Sequence, residues 1–161
     1  MSTPRSHRVP FMQAALEEAR LAAAEGEIPV GAVAVLGNRI IARTHNRREQ
    51  AHDPCAHAEV LLLREAGAAL GSWRLSGVDV YVTLEPCPMC AAALVHARIR
   101  TVVFGALDPK AGGVRSLFAL CEDPRLNHRV EVISGICAES CSELLQQFFI
   151  SLRETRPPDA S

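Results

Sequence analysis

At 161 residues and 17.4 kDa the chain is long enough for one domain with a substantial core, and its 48% apolar and 22% charged content is that of an ordinary globular protein. A net charge of −1 and a pI near 6.6 exclude a global pull toward nucleic acid, so any such partner must be met by a local patch. No apolar run approaches the roughly 20 residues of a membrane span. Met1 to His7 leads into an amphipathic stretch rather than a signal-peptide core, so a cytoplasmic location without a membrane partner is expected.

In chain order, Met12, Ala15, Leu16, Ala19 and Ala23 recur on one face of a predicted helix over 9–24, with Gly26 as its stop. Val30 to Leu36 is continuously apolar and β-branched, the mark of a buried strand. Gly37-Asn38 is a tight-turn pair, and 39–43 returns antiparallel. The polar stretch 44–54 reads as a loop, and 57–69 as a second helix. A third strand is expected at 78–84, a third helix at 87–97 opened by Pro86, and a fourth strand at 101–105. Strand, helix, strand in that order implies a right-handed parallel crossover. Beyond a Gly-rich loop at 108–115, a helical turn is expected at 116–121, a fifth strand at 130–133 and a closing helix at 138–153. Leu144, Leu145, Phe148 and Phe149 share one side of that helix. The expected architecture is α/β, three layers, with helices on both faces of a five-stranded mixed sheet. Residues 1–155 are read as one domain and 156–161 as a frayed tail.

The chemistry-bearing residues fall in two short stretches, His57-Ala58-Glu59 and Pro86-Cys87-Pro88-Met89-Cys90. One imidazole and two thiols make a three-ligand zinc set, which leaves a fourth corner for water. Cys87 and Cys90 are three apart at a helix start, so both sulfurs face one way, and the helix N-terminus favours the thiolate. Glu59, two residues from His57, is placed to exchange protons with water rather than to ligate. A closed structural zinc site would need a fourth ligand, for which His52, Cys55 and His96 are available, and a redox Cys pair would leave His-x-Glu idle. Cys55, Cys121, Cys137 and Cys141 are read as buried small hydrophobes.

The pattern H-x-E…P-C-x-x-C is similar to that of zinc nucleobase deaminases. From about Arg8 to Arg153 the chain resembles the bacterial tRNA-specific adenosine deaminases of the cytidine deaminase-like superfamily. The likeness includes Glu27 to Val33, Asn46-Arg47, His52 to Glu59, Tyr81 to Cys90, Val103 to Ala106, Asp108 to Lys110, Asn127 to Val130 and Phe148-Phe149. The resemblance implies a cytidine deaminase-like fold, with one zinc ion per subunit on His57, Cys87 and Cys90. It also implies a zinc-bound hydroxide attacking C6 of adenine, with Glu59 as proton shuttle, to give inosine at the wobble position of a tRNA anticodon stem-loop. Asn46 matches the residue that holds the base and Val30 its apolar wall, while Asp108, Phe149 and Arg153 match positions near the flanking nucleotides. A homodimer is implied, and no DNA partner. Gly26, where relatives often carry a basic residue, and the short tail argue against extensive phosphate contacts, leaving Arg47, Arg48, Lys110 and Arg153 as a local basic rim.

Overall fold

In a computed structural model, which describes residues 3–155, the predicted apolar stripe becomes helix α1 (Val9–Ala24), with a proline in its first turn, where a missing N–H costs nothing. Strands β1 (Gly31–Leu36) and β2 (Arg39–His45) pair antiparallel. Gly37 and Asn38 between them both take left-handed φ, 57° and 62°, as a two-residue hairpin turn of this hand requires. The strand extends two residues beyond the predicted end. Thr44 and His45 pair with Ala32 and Gly31, and the Thr44 hydroxyl donates to the Ala58 carbonyl at 2.7 Å, so residues polar enough to read as loop are satisfied in the ladder.

The chain continues through α2 (Ala58–Leu70), β3 (Asp79–Leu84), α3 (Pro88–His96), β4 (Thr101–Ala106), β5 (Glu131–Ser134) and α4 (Ala138–Thr155). The five strands lie in the order β2-β1-β3-β4-β5; β1 is antiparallel to both neighbours, and β3, β4 and β5 run parallel. This is the mixed sheet that was expected. The helical turn expected at 116–121 is corrected to a single 3₁₀ turn at Leu120–Glu122. Its physical reason lies in the preceding residues: the N–H groups of Val114, Arg115 and Ser116 donate to the Glu85 carboxylate and not to helix carbonyls. The tail expected at 156–161 lies outside the described residues.

Alternation along the strands divides the apolar interior in two. Ala32, Ala34, Val80, Val82, Val102 and Phe104 pack with Leu62 and Ala66 of α2 and Leu94 of α3. Val33, Val35, Tyr81 and Val103 pack on the other side with Met12 and Leu16 of α1 and Cys141 of α4. A side chain at Gly31 would run into the backbone of α1 at Ala15 and Ala19, so β1 and α1 touch closely enough to require glycine there. The pairings place Val30, Asn46, Glu85 and Asp108 at one end of the sheet, where α2 and α3 also begin. Among the described residues no helix is long and apolar enough to cross a membrane.

Candidate metal and catalytic site

Two helix N-termini converge at that end of the sheet. His57 is the N-cap of α2 and Cys87 that of α3, both in extended backbone, and neither side chain makes the usual capping bond to its own helix. The imidazole and thiol are therefore free to face each other. Nδ1 of His57 lies 3.6 Å from the Cys87 sulfur and 3.5 Å from that of Cys90, which sits in the first turn of α3. With Zn–S near 2.3 Å and Zn–N near 2.0–2.1 Å, a tetrahedral ion holds its sulfur and nitrogen ligands about 3.6 Å apart. The donor set therefore fits one zinc ion in both spacing and chemistry. Among the described residues no fourth His, Cys, Asp or Glu joins the group, which leaves one corner open. Cys55 and Cys137 correct the expectation of burial: Cys55 is exposed and Cys137 half-buried, whereas Cys121 and Cys141 are buried. Cys55 lies in a turn, its N–H held at 2.8 Å by the Asp53 carboxylate of the loop itself.

A hydrogen bond from Cys90 draws the Cys87 thiol down to about 4, with His57 adding to the effect, while the same bond and burial push Cys90 up. Glu59, in the first turn of α2, is only 4% exposed. Burial holds its carboxyl above the usual carboxylate range. It stands outside the ligand group, as the reading of its role requires.

His57, Cys87 and Glu59 lie in a cleft of about 160 Å³, lined also by Ile28, Val30, Asn46, Leu84 and Asp108 among others. Val30 and Asn46 are nearly buried there, at 9% and 7% exposure. The Asn46 amide donates to the Ile28 carbonyl at 3.2 Å and accepts from the Arg48 N–H at 3.1 Å, which fixes its orientation. Asp108 caps its own loop by accepting from the N–H groups of Lys110 and Ala111, both at 3.2 Å. Phe149 does not reach this cleft. It lines an adjoining one together with Asn46, Arg48, Phe148 and Leu152, and it is 42% exposed rather than packed in the core. Arg153 is exposed on α4 and lines neither cleft.

Two carboxylates escaped the sequence reading as individual residues. Glu27, fully buried, accepts from the N–H groups of Glu49 at 2.8 Å and Gln50 at 3.2 Å, so it anchors the 47–52 loop on one side of the cleft. Glu85, 2% exposed, accepts from Asp108, Val114, Arg115 and Ser116 on the other side. Burial alone would raise its pKa, but the Ser116 hydroxyl and these N–H groups hold it below the ordinary value. The signal available in the sequence was an acid flanking each of two apolar strands, Glu27 shortly before Val30 and Glu85 immediately after Leu84.

Residues 5–106 match the cytidine and deoxycytidylate deaminase zinc-binding region. The chain is 50% identical over 146 residues to the tRNA-specific adenosine deaminase of Bacillus subtilis (strain 168), covering 91% of each chain. It is 48% identical over 154 residues to the tRNA-specific adenosine deaminase of Agrobacterium fabrum (strain C58 / ATCC 33970), covering 96% of this chain and 99% of that one. A solved structure from work on A-to-I editing by tRNA:A34 deaminases at the wobble position of transfer RNA superposes with a TM-score of 0.83 at 48% identity, covering 86% of this chain and all of the other. A guanine deaminase from Nitrosomonas europaea, at 22% identity and a TM-score of 0.75 over 92% of this chain and 85% of that one, shares the fold.

Proposed function

The chain belongs to the tRNA-specific adenosine deaminases, within the zinc-binding cytidine and deoxycytidylate deaminases, and we infer that it hydrolyses adenosine to inosine at the wobble position of a tRNA anticodon. The observation that carries the reading is the buried Glu59 carboxylate beside a three-donor metal site, in a cleft that fits a single base. At about 160 Å³ the cleft is smaller than the roughly 300–1,000 Å³ of drug-sized pockets, so the base enters alone, flipped from its strand. Ile28, Val30 and Leu84 supply apolar walls, and Asn46 an oriented amide for the polar edge of the base.

His57, Cys87 and Cys90 would hold a zinc ion, which would supply a Lewis acid that brings the ionisation of water near neutral pH. Glu59 accepts the proton given up by the attacking water and delivers it to N1 of adenine as C6 gains oxygen. It then takes the proton of the new C6 hydroxyl and passes it to the 6-amino group, which leaves as ammonia as the C6 carbonyl forms, and the carboxylate ends as it began. The balance is adenosine plus water giving inosine plus ammonia. Substituting Glu59→Gln keeps the size and removes the base, so turnover should fall by about 10²–10⁴-fold with zinc content and melting unchanged. Loss of zinc in that variant, together with an inactive parent, would point to a structural metal module instead.

Asp108 is assigned to the rim of the base cleft, and Phe149, with Arg48 beside it, to stacking of a flanking nucleotide in the adjoining cleft. Arg153, one turn beyond Phe149 on α4, is assigned to a phosphate farther along the strand. A homodimer acting in the cytoplasm completes the reading. Leu107, Leu117 and Phe118, each more than half exposed, flank the segment bordering the cleft and give an apolar surface for a second copy to cover.

A further inference from the structure

Asp108 and Ala111 line the cleft from the 108–116 loop, none of whose residues belongs to a helix or strand. Such a loop needs an anchor to present Asp108 and Ala111 to a base in one position. The groups holding it converge on Glu85. Its Oε1 accepts from the Asp108 N–H at 3.0 Å and the Ser116 hydroxyl at 2.5 Å. Its Oε2 accepts from three successive N–H groups, those of Val114, Arg115 and Ser116, at 3.2, 2.8 and 2.9 Å. Consecutive amides wrapped on one oxygen form an anion-binding nest, filled here by the chain's own carboxylate.

Two close approaches tighten the arrangement. A side chain at Gly112 would collide with the Glu85 carboxylate, and one at Gly113 would come within 2.6 Å of the Pro88 nitrogen. The Gly113 N–H also donates to the Pro86 carbonyl at 2.8 Å. The loop is thus pressed onto the same six residues, Glu85 to Cys90, that carry two of the metal ligands. A carboxylate offers about four lone-pair sites, and five donors already occupy it. Although Glu85 borders the cleft, it has no acceptor left for substrate, which excludes it from acid–base chemistry on the base.

We propose that Glu85 is a positioning residue that sets the 108–116 loop in register with the metal ligands, and so determines how tightly the base is held. The proposal rests on the deaminase reading for its link to substrate, and on geometry alone for its link to the loop.

The test replaces Glu85→Gln and, as a milder change that removes only the short hydroxyl bond, Ser116→Ala, in the zinc-loaded full chain. Hydrogen exchange of the amides of Asp108, Val114, Arg115 and Ser116 should quicken by about tenfold or more in Glu85→Gln, the loss expected when hydrogen bonds to a charged group are weakened. Amides of α3 should keep their protection. With an anticodon stem-loop as substrate, KM should rise by a similar factor while kcat and zinc stoichiometry stay near those of the parent. Ser116→Ala should shift both readouts in the same direction by less, and it decides alone if Glu85→Gln does not fold. Unchanged exchange at those amides, or faster exchange with KM unchanged, would overturn the proposal. A parent that makes no inosine would remove the deaminase reading, and the exchange pattern would still decide whether Glu85 holds the loop.

Discussion

Glu59 and Glu85 are both buried acids beside the same cleft, and their surroundings give them opposite roles. Glu59 stands next to the donor group without belonging to it, whereas every acceptor site of Glu85 is filled by the loop it holds. Removing a metal ligand should therefore differ in kind from removing either acid: Cys87→Ala should lose bound zinc and activity together, measured by metal analysis and inosine formation. Full activity in that variant would refute zinc catalysis here. The ligands and Glu59 were legible from spacing, because Cys87 and Cys90, three apart at a helix start, share one side, and Glu59 follows His57 by two residues. Glu85 was not, because its partners are 23 to 31 residues away and are mostly backbone amides, which carry no residue-type signature. Asn46 and Val30 entered through resemblance, and the structure places both in the cleft.

At the scale of elements, the helices and strands were legible because the apolar period changes cleanly between them, and most ends fall within two residues of expectation. The departures have local causes. β2 is longer because its polar last residues are paired, and the turn after Ser116 is displaced because Glu85 takes the amides a helix would use. α4 departs in packing: of its residues only Cys141 is buried, and Phe149, Ile150 and Leu152 face outward. The contact of α1 on β1 leaves no room at Gly31, so Gly31→Ala should destabilise by at least ~1–3 kcal/mol, the usual cost of overpacking, read from the shift in a urea midpoint.

The same junction has a pH dependence. The His45 ring bridges Glu18 on α1, at 3.1 Å, and Glu25 just beyond its end, at 2.9 Å. Burial opposes protonation of the ring, but the two carboxylates outweigh it and hold the pKa above the ordinary histidine value. Because the folded value exceeds the unfolded one of about 6.5, this contribution is fully present below that pH and is lost as pH rises through the folded value. The stability difference between the parent and His45→Gln should therefore shrink from pH 6 to pH 9 in thermal melts. A constant difference would contradict the assignment.

For the molecule as a whole, the sheet order and the meeting of two helix N-termini explain why residues as distant as Val30 and Asp108 share one cleft. A net charge of −1 supplies no global field toward RNA, so shape and stacking are expected to contribute more than phosphate contacts. With Arg47, Arg48, Lys110 and Arg153 as the exposed cations assigned to the rim, log Kd for a stem-loop should change with log salt by a slope of about 3 or less, at roughly 0.7 per contact. A steeper slope would mean that a basic surface elsewhere takes part. The most direct measurement of the central claim is product analysis after incubating the zinc-loaded protein with an anticodon stem-loop carrying a wobble adenosine, and in parallel with free guanine, cytosine and cytidine. Inosine at the wobble position, with the free compounds left unchanged, is the expected result. Turnover of a free base or nucleoside with no inosine in the RNA would contradict it.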